Sequence, residues 1–139
     1  MNEPLTEVYL ARHGETAWSL SGQHTGRTDI PLTERGEENA RKLRWRLEGI
    51  TFTEVLVSPL QRARRTCELA GFAAVANVIP DLVEWDYGDY EGRRTAEIRG
   101  ERPGSEHHEL LLICCRKLVF VPDFWYSSFS MPRHHGGSP

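Results

Sequence analysis

Lysine is almost absent from the chain: of 17 basic residues only Lys42 and Lys117 are lysine, and the others are arginine. A basic site built from these residues grips planar oxyanions in bidentate fashion instead of offering flexible point charges. Cysteine is scarce as well. Cys67 stands alone and Cys114 and Cys115 are adjacent, so no Cys-x-x-Cys spacing exists to hold a metal or run redox chemistry, and the three read as reduced filler. No metal or other cofactor is expected, because no cluster of histidines and carboxylates has ligand spacing. Long hydrophobic runs are missing too: the longest, Leu110 to Val121, is interrupted by Arg116-Lys117 and is too short to span a bilayer. The opening Met1-Asn2-Glu3-Pro4 has neither the basic nor the apolar region of a signal peptide, so a cytoplasmic protein with no membrane partner is expected. There is no internal repeat.

What is present is an ordinary globular composition, 139 residues with 39% hydrophobic and 27% charged, enough for a single core. A formal net charge of -3 argues against a general nucleic-acid binder. With arginine dominating the cations, a small anionic molecule is the expected ligand.

Residues Glu7 to Ala11 alternate and are β-rich, and they run directly into Arg12-His13-Gly14, so a strand feeds a polar loop that extends to about Pro31. Thr33 is placed to cap a helix whose apolar positions Ala40, Leu43 and Leu47 share a face, with Gly49 as its stop. Glu54 to Val57 fits a buried strand, and Ser58 as N-cap, Pro59 at the first position and Gly71 past the end bracket a second helix. Val75 to Ile79 reads as a third strand, followed by a loop from Pro80 through Glu84 to Gly92. Strands alternating with helices predict right-handed crossovers and an open, mostly parallel three-layer α/β/α sheet. Ligands of such sheets sit beyond the carboxyl ends of the strands, where the polar loops lie. Past about Gly104 the character changes. Residues 1–104 read as part of a domain and 105–139 as a divergent, poorly structured tail, in which Leu110 to Val121 forms one strand or two.

Four ordered motifs carry a resemblance. Arg12-His13-Gly14-Glu15-Thr16, Thr25-Gly26 with Asp29, Leu32-Thr33 and Gly36, Ser58-Pro59-Leu60 with Arg62-Ala63 and Thr66, and Glu84-Trp85-Asp86-Tyr87-Gly88-Asp89-Tyr90-Glu91-Gly92 together resemble the histidine phosphatase superfamily, which includes the phosphoglycerate mutases. The last motif is most similar to its small phosphatase branch. The chemistry fits the residues. A phosphoryl group in transfer spreads negative charge over its oxygens, so catalysis is largely positioning and cationic clamping, for which Arg12 and Arg62 are the candidates. A neutral imidazole is a competent nucleophile near pH 7, which makes His13 the candidate phosphate acceptor. Arg62 differs from its neighbours Arg64 and Arg65, read as surface, in lying near the helix start, where backbone N–H groups favour anions. Thr25 and Gly26 resemble the family's loop over the phosphate, although a plain turn explains them equally on sequence alone. Glu84, Asp86, Asp89 and Glu91 are equal candidates for the acid that protonates the leaving group, and the resemblance selects Glu84.

The resemblance also calls for a second histidine at the end of a further strand. It is not found: His134-His135-Gly136 echoes that pattern, but Pro132 and no β-branched strand precede it. The sequence therefore predicts a metal-independent phosphomonoesterase acting on a small phosphorylated metabolite through phosphohistidine, impaired in this chain by a truncation or frameshift after about residue 104. Phosphoglycerate-mutase-type transfer and a catalytically dead phosphate-binding fragment are the alternatives. Exposed apolar surface is expected, since half a sheet cannot bury both its faces.

Overall fold

Three short runs of β-rich sequence, each closed by a turn, form strands β1 (Tyr9–Ala11), β2 (Phe52–Val57) and β3 (Ala76–Val78) in the computed structural model, which describes residues 7–101 and the backbone of 118–122. Helices α1 (Ala17–Ser21), α2 (Glu34–Arg46), α3 (Gln61–Leu69) and α4 (Thr95–Glu101) lie between and after them, and β4 (Leu118–Pro122) completes a sheet of order β1-β4-β2-β3. The fold is α/β. β2 and β3 pair in parallel, with Val57 opposite Val78, whereas β4 is antiparallel to both β1 and β2. β1, β2 and β3 therefore share a direction and present their carboxyl ends on one edge, with a reversed strand in the middle. β4 falls largely within the Leu110 to Val121 stretch. The rest of 105–139, including Cys114, Cys115 and His134-His135-Gly136, lies outside the described residues.

α2 starts as its sequence predicts. The Thr33 hydroxyl accepts from the Gly36 N–H at 3.0 Å, Glu34 and Glu37 lie in the first turn, and Arg44 and Arg46 lie in the last, all in the sense that complements the helix dipole. For α3 the expectation of a Ser58 cap and Pro59 at the first position is corrected: the helix begins at Gln61, and its N-cap Leu60 makes no side-chain capping bond. The cap comes instead from a distant loop, because the Gln61 N–H donates to Asp29 Oδ1 at 2.8 Å across 32 residues. Past the helix end Gly71 takes φ +91°, a left-handed turn that a Cβ would strain.

The buried core comprises Leu47, Val55, Val57, Ala63 and Cys67, with Tyr9, Phe52 and Phe72 stacked edge-on beside it at centroid spacings of 5.5 Å. α3 sends Arg62, Ala63, Thr66 and Cys67 inward, with Ala70 buried just past its end. α2 packs on α3, and Arg65 ties the two by donating to Glu37 at 2.8 Å while also pairing with Glu68 at 3.0 Å. The Cys67 thiol is pushed up to about 11 by burial, which leaves it an inert filler as expected. At the sheet margins Leu10 (68%) and Val75 (62%) stand exposed, as do Val8 and Val78.

Candidate active site

The polypeptide leaves β1 at Ala11 and turns through Arg12, His13 and Gly14. His13 Nδ1 lies 2.7 Å from the Gly14 carbonyl oxygen. That oxygen can only accept, so Nδ1 carries a hydrogen, and in the neutral imidazole Nε2 then carries the lone pair. Gly14 is locked in turn. Its N–H donates to Thr66 Oγ1 at 2.9 Å, and the same hydroxyl donates to the Arg62 carbonyl at 2.7 Å, so one buried threonine links the end of β1 to α3. Behind this turn the chain touches the start of α2: a Cβ on Gly14 would lie 2.9 Å from the Gly36 carbonyl carbon, and one on Gly36 would lie 2.8 Å from the Glu15 nitrogen. Only two glycines permit that approach.

Arg62 is 2% exposed. Its guanidinium donates to the Thr28 carbonyl at 2.9 Å and the Gly26 carbonyl at 2.7 Å. A guanidinium carries five N–H donors, so these two bonds aim the fork without exhausting it. Burial lowers the Arg62 basicity, and the nearby carboxylates of Asp29, Glu84 and Glu91 partly offset the effect. Gly26 is enclosed, since a Cβ there would collide with the Trp85 carbonyl oxygen and Glu91 Oε1. Thr25, half-buried beside it, donates to the Gln23 carbonyl at 3.4 Å.

Glu84 is half-buried and accepts the Trp85 N–H at 3.0 Å, while the neighbouring Trp85 ring is largely exposed. Arg12 is exposed at the rim of a cavity of about 580 Å³ between the end of β1 and α2, which His13, Thr66, Lys42 and Arg46 also line. His13 and Arg12 thus share this cavity, and Arg62, Gly26 and Glu84 form a second group joined to them through Thr66. Among the described residues no group of three or more His, Cys, Asp or Glu side chains is placed to hold a metal ion, and no helix is long and apolar enough to cross a membrane.

A family model for the histidine phosphatase superfamily (branch 1) matches residues 8–110. The chain belongs to that superfamily. Among characterised histidine phosphatases and relatives, it is 44% identical over 98 residues to an acid phosphatase of Mycobacterium tuberculosis, covering 69% of this chain and 48% of that protein. It is 41% identical over 104 residues to sedoheptulose 1,7-bisphosphatase of Saccharomyces cerevisiae, covering 64% of this chain and 38% of that one. In structure it is similar to the Entamoeba histolytica phosphoserine phosphatase solved in complex with 3-phosphoglyceric acid, with TM-score 0.61 and 33% identity over 67% of this chain and 46% of that one. The chain spans about half the length, or less, of these relatives.

Two residues of this chain make contacts that their sequence positions did not reveal. Thr66 belongs to a motif that the sequence does contain, one turn beyond Arg62, yet its bond to Gly14 spans 52 residues and leaves no local signature. Glu91, grouped by sequence with the acid candidates, instead accepts the N–H groups of Gly26 at 2.9 Å, Arg27 at 3.0 Å and Thr28 at 3.4 Å. Burial pushes its carboxyl up, but a hydrogen bond from the Thr28 side chain together with the backbone N–H bonds from Gly26, Arg27 and Thr28 outweighs burial and holds it below the usual range.

Proposed function

We propose that this site performs phosphomonoester hydrolysis on a small phosphorylated metabolite through a phosphohistidine on His13. The observation that carries the reading is the 2.7 Å bond from His13 Nδ1 to the Gly14 carbonyl, which supports Nε2 as the nucleophilic nitrogen. Nε2 attacks phosphorus, the ester P–O bond breaks, and the departing alkoxide takes a proton from Glu84. Water then attacks the phosphohistidine with its proton passing to the Glu84 carboxylate, the P–N bond breaks, and inorganic phosphate and neutral His13 are left. Arg12 and Arg62 clamp the phosphoryl oxygens, with Thr25 and Gly26 belonging to the loop that covers them. No metal or cofactor takes part in this scheme.

The 139-residue chain is proposed to turn over slowly, because the second histidine called for by the resemblance is not found in it and loss of one preorganised donor costs about 10²–10³ in rate. Phosphate release from a panel of sugar phosphates tests the reading, with slow, His13-dependent, EDTA-insensitive hydrolysis expected. Turnover that persists in His13→Ala, or that chelation abolishes, would overturn it. Mutase-type transfer is the second reading, supported by 36% identity over 102 residues to a probable phosphoglycerate mutase of Cronobacter sakazakii. Transfer between phosphoglycerates exceeding hydrolysis would favour it.

A further inference from the structure

The peptide segment Gly26–Thr28 is held from both sides by opposite charges. Its carbonyls at Gly26 and Thr28 accept from the Arg62 guanidinium at 2.7 and 2.9 Å, while its N–H groups at Gly26, Arg27 and Thr28 all point to the Glu91 carboxylate. Three donors on one carboxylate from consecutive residues form a backbone nest of the kind that binds an anion, here filled by a side chain of the protein itself. Gly26 makes the arrangement feasible, since any Cβ would strike Glu91 Oε1 and the Trp85 carbonyl.

We infer that Glu91 is a positioning residue for Arg62: it acts through the 26–28 segment to aim the guanidinium, and it is not the leaving-group acid. This rests on the reading of Arg62 as a phosphate clamp. The Arg62 side-chain bonds go to the Gly26 and Thr28 carbonyls and not to Glu91, which need not touch substrate. Its anion orients three consecutive N–H groups, and the Gly26–Arg27 peptide, whose N–H faces Glu91 while its carbonyl accepts from Arg62, lets the two charges reinforce one another across it. Arg62 is buried, and its carbonyl partners limit where the remaining N–H donors of the fork can point. Neutralising Glu91 frees the segment, and the fork loses its aim. Glu91→Gln keeps an acceptor oxygen for Gly26 and Arg27 but turns an NH₂ group against the Thr28 N–H.

The test uses the full chain with inorganic phosphate as the probe. Phosphate affinity is measured for wild type, Glu91→Gln, Arg62→Ala and the double variant, alongside hydrogen exchange of the Arg62 Nη–H groups. The inference expects Glu91→Gln to weaken phosphate binding on the order of tenfold, to accelerate Arg62 exchange, and to add little to the loss in the Arg62→Ala background. Losses that add in full across the two sites, or Arg62 exchange unchanged in Glu91→Gln, overturn it. A wild-type chain that binds no phosphate sinks the phosphatase reading of the pocket and with it the clamp, and the Arg62 exchange in Glu91→Gln then decides alone whether Glu91 positions the guanidinium. Should Glu91→Gln fail to fold, as judged by amide exchange in α2 and α3, Glu91→Asp keeps the charge but withdraws it by one methylene. Faster Arg62 exchange in that variant supports the inference, and a wild-type rate overturns it.

Discussion

Replacing Thr66 with valine removes one hydroxyl while nearly preserving volume, at a position only 1% exposed. Two bonds go with it. The Arg62 carbonyl loses the Thr66 Oγ1 contact at 2.7 Å but keeps its place in the α3 ladder, so its loss is small. The Gly14 N–H has no such alternative: its bond to Oγ1 at 2.9 Å is replaced by a methyl group, and an orphaned donor costs about 1–3 kcal/mol. For a chain of this length that corresponds to roughly 4–12 °C in Tm, at about 4 °C per kcal/mol. Thr66→Ser is the control, because it keeps the hydroxyl and loses only a methyl, at about 1 kcal/mol. Thermal or urea unfolding of the three proteins gives the order wild type, Ser, Val in falling stability. A valine variant within about 0.3 kcal/mol of wild type, or one more stable than the serine variant, would refute the claim that this hydroxyl joins the nucleophile turn to α3.

Gly36→Ala should destabilise by about 1–3 kcal/mol through overpacking, since its Cβ would press on the rigid Glu15 backbone, and an unchanged urea midpoint would show that the contact gives way. Glu84→Gln should slow sugar phosphates far more than nitrophenyl phosphate, whose leaving group needs little protonation, and equal slowing would assign Glu84 a structural role. Glu91 gives a stability slope of definite sign. Its native carboxyl lies below the ordinary 4.5, so the unfolded chain binds the proton more tightly, and the stabilisation is full above 4.5 and is lost as pH falls through the depressed native value. Glu91→Gln should flatten the acid limb of Tm against pH, and an identical limb would contradict the hydrogen-bonded carboxylate.

Local signals were legible in the sequence and remote ones were not. Thr33 capped α2, β1 ended on Arg12-His13-Gly14, and Gly71 followed α3, because each depends on residues a few positions apart. The start of α3 was misread because Ser58-Pro59 is a strong local signal that loses to Asp29, a carboxylate arriving from the preceding loop. α1 was hidden for a different reason. It is five residues long with no buried residue, and its capping box uses Ser19 where Glu or Gln is the usual partner of Thr16. In the candidate site His13, Arg12, Arg62, Gly26, Thr25 and Glu84 were each named from motifs, whereas the roles of Thr66 and Glu91 depend on bonds spanning 52 and 65 residues. The reversed direction of β4 had no counterpart in the alternation of strands and helices that predicted a parallel sheet.

The central claim is that His13 accepts the phosphoryl group. Incubating the full chain with a phosphorus-labelled activated aryl phosphate, quenching, and testing the stability of the bound label examines it directly. The account predicts label that is labile in acid, stable in base, and absent from His13→Ala. No label on the wild-type chain, label that survives acid, or label that persists in His13→Ala would contradict it.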